Sequence, residues 1–173
     1  TSVVIPSSVT KIGNDTFKDC TSLTSIVVEE GNSMYDSREG CNALIVTEKN
    51  ILRRGCASTI IPSSVTVIGM GAFADCTSLT SVVIPSSVTK ICSEAFENCT
   101  SLTSIEIPSS VTAIGGSAFY GCTSLTNVVI PEGVTEIYSY AFRGCTSLTS
   151  VVIPSSVTKI GNDTFKDCTS LTS

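Results

Sequence analysis

Leu148-Thr-Ser-Val-Val-Ile-Pro-Ser-Ser-Val-Thr-Lys-Ile-Gly-Asn-Asp-Thr-Phe-Lys-Asp-Cys-Thr-Ser170 is one turn of a repeat, and almost every other segment of the chain copies it. Leucines fall at 79, 102, 125, 148 and 171, each 23 residues after the last. Prolines keep the same step at 62, 85, 108, 131 and 154, and phenylalanines at 73, 96, 119, 142 and 165. Within the unit, residues 148–153 alternate apolar and small polar side chains at the strand period, with β-branched residues prominent. Pro154-Ser-Ser ends that strand, because proline cannot donate to a ladder. Val157-Thr-Lys-Ile160 reads as a second short extended piece. Thr164-Phe165-Lys-Asp-Cys168 has the spacing of one helical turn, with Phe165 and Cys168 on one face.

Self-similarity at a period of about 20–29 residues with an L-x-x-L-x-L core is the mark of a leucine-rich solenoid. That core recurs as Leu148-x-x-Val151-x-Ile153 and Leu125-x-x-Val128-x-Ile130. The expected fold is therefore mostly β: a right-handed, curved solenoid whose units each supply two short strands and a helical turn. One unit buries too little to hold itself together, so stacking on its neighbours supplies the stability. Taken in order, the units are 1–22, 23–55, 56–78, 79–101, 102–124, 125–147 and 148–170, within a single domain 1–173.

Two departures stand out. Unit 23–55 has 33 residues, and its Ala43–Thr47 and Ile51–Arg54 stretches joined by Glu48-Lys-Asn50 predict a β-hairpin in place of the helical turn. The hairpin reads either as a protruding recognition element or as a tolerated insertion. Residues 1–25 and 149–173 are identical at all 25 positions. The repeat does not force this, since 80–104 differs from 1–25 at six positions: 92, 93, 94, 95, 97 and 98. We expect the chain to be a window of a longer array built on a 148-residue block. It opens in mid-repeat, without a signal peptide.

The net charge of −5 argues against nucleic acid or an anionic membrane as partner. Apolar residues make up 42% and mean hydropathy is +0.37, yet no apolar run approaches a membrane span. Serine and threonine together number 51, and there is no histidine or tryptophan. Without histidine the commonest general base and metal ligand is missing. No Ser-His-Asp set, P-loop or dinucleotide fingerprint is present, and neither a cofactor nor catalysis is expected.

The unit L-T-S-V-V-I-P-S-S-V-T-x-I-G-x-x-A-F-x-x-C-T-S resembles the BspA-like leucine-rich repeats of bacterial and protist surface proteins, over essentially the whole chain. The long unit's E-E-G-N…Y-D-S…C-N-A-L-I stretch resembles a variant repeat of the same family. The resemblance implies a secreted or cell-surface protein that adheres to host matrix proteins or to other cells, without catalysis. Cys92 and Tyr138 replace the usual glycine of the repeat, so that position does not need a positive φ.

Candidate sites follow from the frame. In each first strand the residue before the last apolar position points outward: Val4, Val27, Ile60, Val83, Glu106, Val129 and Val152. Six of the seven are β-branched and apolar, which predicts either plain sheet propensity or a ribbon for a protein partner or self-association. Thr24, Thr80, Thr103, Thr126 and Thr149 flank it. Tyr120, Tyr138 and Tyr140 form a candidate aromatic patch, scattered surface tyrosine being the plainer reading. Cys20, Cys76, Cys99, Cys122, Cys145 and Cys168 share one repeat position and are expected to stack as free, buried thiols. Cys41 and Cys56 flank the hairpin and read either as a bridge or as two free thiols. Asn14-Asp-Thr16, Asn98-Cys-Thr100 and Asn162-Asp-Thr164 match the glycosylation sequon. The expected function is extracellular protein binding or adhesion through the outward strand face. The alternative is a structural subunit of an end-to-end filament or long surface fibre.

Overall fold

The computed structural model describes residues 1–13, 16, 17 and 19–172. The chain winds as a solenoid of about seven layers, and equivalent residues lie one above another. The core runs the length of the stack. Ile68, Ile91, Ile114 and Ile137, together with Leu79, Leu102, Leu125 and Leu148, are each 0% exposed. The four rings Phe73, Phe96, Phe119 and Phe142 are also fully buried, and with Phe165 they stack face to face at centroid separations of 5.1–5.6 Å.

Three walls carry the backbone hydrogen bonds between layers. The second extended piece of each unit makes a continuous sheet of eight strands. From the middle outward this holds β6 (Val67–Ile68), β7 (Lys90–Ile91), β9 (Ala113–Ile114), β11 (Glu136–Ile137) and β13 (Lys159–Ile160), all parallel. At its other end the long unit adds β3 (Tyr35–Asp36), β4 (Leu44–Val46) and β5 (Ile51–Arg54), with β3–β4 and β4–β5 antiparallel. The expected hairpin is thus present, but it does not protrude. Leu44, Ile45 and Leu52 are 0% exposed, and β5 pairs in parallel with β6 to hand the sheet on to the regular units.

The first-strand wall is interrupted. β1 (Ser2–Ile5) pairs with β2 (Ser25–Val28), and β8 (Ser104–Glu106), β10 (Asn127–Val129) and β12 (Ser150–Val152) form a separate parallel sheet. Between them Ile60 and Val83 lie in no strand. The cause is the long unit, which lays residues 41–43 under the next layer so that the Ile60 N–H donates to the Cys41 carbonyl at 3.1 Å.

The third wall is not a turn of α-helix. In residues 69–76 consecutive tight turns close from Ala72 N–H to Gly69 O, from Ala74 to Gly71 and from Cys76 to Phe73. Left-handed residues bracket each Ala-Phe pair: Gly71 and Asp75, Glu94 and Asn98, Ser117 and Gly121, Tyr140 and Gly144. This turns alternate peptides parallel to the solenoid axis. Gly71, Phe73 and Asp75 donate forward to Ser93, Ala95 and Glu97 at 2.7–3.1 Å, and the next layers repeat the pattern. A helix would bond within one layer and leave its neighbours unlinked.

Hydroxyls extend the linkage. Thr103, Thr126 and Thr149 donate to the carbonyls of Thr80, Thr103 and Thr126, and Ser87 and Ser110 to those of Val65 and Val88. The abundance of serine and threonine is in this sense structural: a short hydroxyl side chain reaches one layer back.

Candidate protein-binding face

The outward residues of the first strand are exposed as the frame requires, at 55% for Val4, 44% for Val27, 74% for Ile60, 84% for Val83, 58% for Val129 and 66% for Val152. Glu106 is exposed as well and stands opposite Val129, which stands opposite Val152. Val4 stands opposite Val27. Sheet pairing fixes these rows at the two ends of the face, whereas Ile60 and Val83 lie outside any strand and are the most exposed of the six apolar residues. The flanking threonines are exposed, and Thr24, Thr103, Thr126 and Thr149 commit their hydroxyl protons to carbonyls of the preceding layer. What they offer a partner is oxygen lone pairs and methyl groups.

Tyr120 and Tyr140 are drawn together by Arg143, whose guanidinium carbon lies 5.9 and 5.7 Å from their ring centres. Arg143 also pairs with Asp167 at 3.2 Å. Tyr138 takes the Lys159 ammonium over its ring at 5.7 Å. Tyr140 has φ of 63°, an uncommon backbone for a bulky residue. Tyr138, Met70, Lys90 and Cys92 wall a shallow groove of about 400 Å³ whose floor is Gly115-Gly116. A smaller cavity of about 80 Å³ lies beside Arg53, Arg54, Asp75, Glu94 and Glu97. There Arg54 is 7% exposed and donates to the Gly71 carbonyl at 3.1 Å, while its Nε has no partner among the described residues. Burial depresses its pKa. The signal for this arginine was present in the sequence, since alternation along Ile51-Leu-Arg-Arg54 puts Leu52 and Arg54 on the same face.

Every cysteine is a free thiol. Cys99, Cys122, Cys145 and Cys168 each donate Sγ–H to the phenylalanine carbonyl 26 residues earlier, at 3.1–3.2 Å. Burial pushes Cys76 up to about 11 and Cys145 to about 12, and raises Cys122 well above the usual thiol range. These thiols are therefore protonated donors in the core, not nucleophiles. Cys41 and Cys56 are unbridged, donating to the Ala43 and Asn42 carbonyls. Among the described residues no group of three or more acidic or cysteine side chains could hold a metal ion, and no helix is long and apolar enough to cross a membrane. Of the sequons, Asn98 bonds Asp75 at 3.0 Å and Asn162 is exposed, while Asn14 lies outside the described residues.

A stack of leucine-floored layers with parallel short strands and an open outer face defines a leucine-rich-repeat solenoid. More narrowly, the profile of the BspA type leucine rich repeat region matches residues 1–41 and 53–172 in six copies, and the chain belongs to that family. It is similar to a leucine rich cell surface protein of Faecalibacterium prausnitzii, 38% identical, with a TM-score of 0.87 over 99% of this chain and 46% of that one. A leucine-rich repeat protein of Bacteroides ovatus is 34% identical, with a TM-score of 0.65 over 79% of this chain and 38% of that one. The pneumococcal vaccine antigen PcpA shares the fold at 24% identity, with a TM-score of 0.81 over 96% of this chain and 43% of that one. The chain thus spans less than half the length of these three proteins. No curated protein sequence matches it.

Proposed function

We propose that the chain is a non-enzymatic, extracellular or cell-surface module that binds a protein partner through the outward face of its first strands. The observation that carries this reading is the row of six apolar β-branched side chains, 44–84% exposed, with Glu106 as its one charge. Contiguous apolar surface of this kind on a soluble scaffold marks contact with another macromolecule. Rigidity adds to it: side chains fixed by an interlayer ladder lose little freedom when a partner docks. Membership of the BspA type family, and a solved relative described as a cell surface protein, support a surface location. The partner class that suits this face is an extended protein of the host matrix or of another cell surface.

The test uses extracellular matrix laid down by cultured cells as the probe. The chain should bind it saturably, and Val83→Glu, Val129→Glu and Val152→Glu together should reduce binding at least tenfold while the circular dichroism melt stays unchanged. Undiminished binding by the triple variant would remove this face from the function.

A further inference from the structure

The groove over Gly115-Gly116 lies inside the stack, across the units 56–78 to 125–147, and the outward strand face makes no use of it. Its volume of about 400 Å³ is that of a small-molecule site, about 300–1,000 Å³. The alternation of glycine with larger residues creates it, because Cys92 and Tyr138 stand as walls on either side of a bare floor. Without a Cβ there, a ligand can approach the backbone closely. Among the described residues a side chain on Gly116 would meet only the Ser139 carbonyl, at 3.2 Å, and the Tyr138 Cβ, at 3.9 Å.

The repeat displays what such a floor binds. At the same place two units later, the Asn162 N–H donates to the Ser139 hydroxyl one layer back, at 3.1 Å. The Ser139 N–H finds no hydroxyl one layer back, since Gly116 has no side chain, and the Gly116 N–H makes no bond to Ser93. Among the described residues neither N–H has an acceptor. Two amide donors thus wait for a ligand oxygen, beside the Ser93 hydroxyl that lines the groove. Lys90 adds a cation. Its neighbours in the sheet are Val67 and Ala113, so no carboxylate stands next to it, and among the described residues it has no ion pair. Further along the same row Glu136 and Lys159 pair with each other at 3.5 Å. Tyr138, 44% exposed, supplies an aromatic wall.

We propose that this groove is a subsite for an acidic sugar, a pyranose ring bearing a carboxylate. The carboxylate pairs with Lys90, hydroxyl oxygens accept from the Gly116 and Ser139 N–H groups, and the C–H face of the ring lies against Tyr138. An acidic peptide suits the lining less well. Its carboxylate would engage Lys90 but leave it few hydroxyls for the amide donors and no flat face for the ring. The chain as a whole is acidic, with a net charge of −5, so the site takes a single carboxylate rather than a densely charged polymer.

The test is an amide NMR titration of the 173-residue chain with a disaccharide of glucuronic acid and N-acetylglucosamine. The Gly116 and Ser139 amide signals should shift saturably. Three variants borrow the residue that another unit carries at the same place, which protects the fold: Lys90→Ala, Gly116→Ser and Tyr138→Cys. Each should weaken binding at least tenfold, Gly116→Ser by filling the floor. Reducing the sugar carboxylate to an alcohol should weaken it as much. The Val83→Glu, Val129→Glu and Val152→Glu triple variant should bind the disaccharide like the parent, which separates this site from the outward strand face. Absence of saturable shifts, undiminished binding by Lys90→Ala and Gly116→Ser, or tighter binding of triglutamate than of the disaccharide would overturn the proposal.

Discussion

A missing Cβ sets how closely two layers approach. At one repeat position Gly69, Cys92, Gly115, Tyr138 and Gly161 alternate glycine with a larger residue. None of these glycines has a positive φ, in line with Cys92 and Tyr138 occupying the same place. What glycine supplies is clearance. A Cβ on Gly115 would lie 2.4 Å from the Ser93 nitrogen, and one on Gly161 2.3 Å from that of Ser139. The glycine N–H groups reach back to the preceding layer at 2.8–2.9 Å, whereas those of Cys92 and Tyr138 reach 3.0 and 3.3 Å. Gly115→Ala should therefore cost about 1–3 kcal/mol by forcing backbone apart. Gly13→Ala, at the equivalent position but with its nearest contact among the described residues at 3.5 Å, should be neutral within about 0.5 kcal/mol. Urea midpoints of the two variants check this, and equal losses would refute the clearance argument. The sequence allowed the dihedral to be excluded but not the interlayer distance to be seen, because that depends on two residues far apart in the chain. Another residue-scale signal was legible and was missed. The position before each of the six column cysteines holds Asp19, Asp75, Asn98, Gly121, Gly144 and Asp167, the residue types that tolerate the left-handed region, and all six adopt it.

That signal decides the element where expectation and structure differ. Phe165 and Cys168 at helical spacing suggested one helical turn, and two facing side chains three apart do not distinguish a helix from linked tight turns. Left-handed residues on either side of Ala-Phe forbid a helix, and in exchange every second peptide becomes a rung to the next layer. The rings that this segment carries are then held in parallel at one-layer spacing. Phe119→Ala, in the middle of the stack with two ring neighbours, should cost about 3–5 kcal/mol. Phe165→Ala should cost clearly less, since that ring stacks only on Phe142 and is half-buried. Denaturant melts of the two would rank them, and equal losses would mean that the stack carries no energy beyond local burial. The long unit shows a second limit on reading elements. Its hairpin was legible from Ala43–Arg54, but its place inside the eight-stranded sheet was not. Leu44 faces one side of that sheet, toward Tyr35 and Ile26, while Ala43, Ile45 and Leu52 face the main core.

At the scale of the whole molecule the 23-residue period carried nearly everything about the core, because each buried leucine, isoleucine and phenylalanine recurs at its own fixed place. The split of the first-strand sheet was not legible, since it follows from one 33-residue unit shifting its neighbours' pairing. The cysteine column belongs to this scale too, because Cys76, Cys99, Cys122 and Cys145 lie in one axial core, whereas Cys20 at the other end is exposed. Cys76 is held up at about 11 and Cys145 at about 12 by burial, and Cys122 is raised well above the usual thiol range by the same cause. In the unfolded chain these thiols ionise near their ordinary value of about 8.5. Between there and the folded values the native state binds more protons than the unfolded one, so stability falls as pH rises. Below the ordinary thiol pKa both states are protonated, and this contribution is fully present and flat. The urea midpoint of the reduced chain should therefore drop from pH 8.5 toward pH 11 (about two decades above the ordinary thiol value at most). The deciding comparison is with the Cys76→Ala/Cys145→Ala variant, which differs from the parent chain in these two thiols alone. Its midpoint should be lower at neutral pH, for lost packing, yet fall less steeply with pH. Parallel slopes for the two proteins would show that the thiol column ionises without resistance from the core.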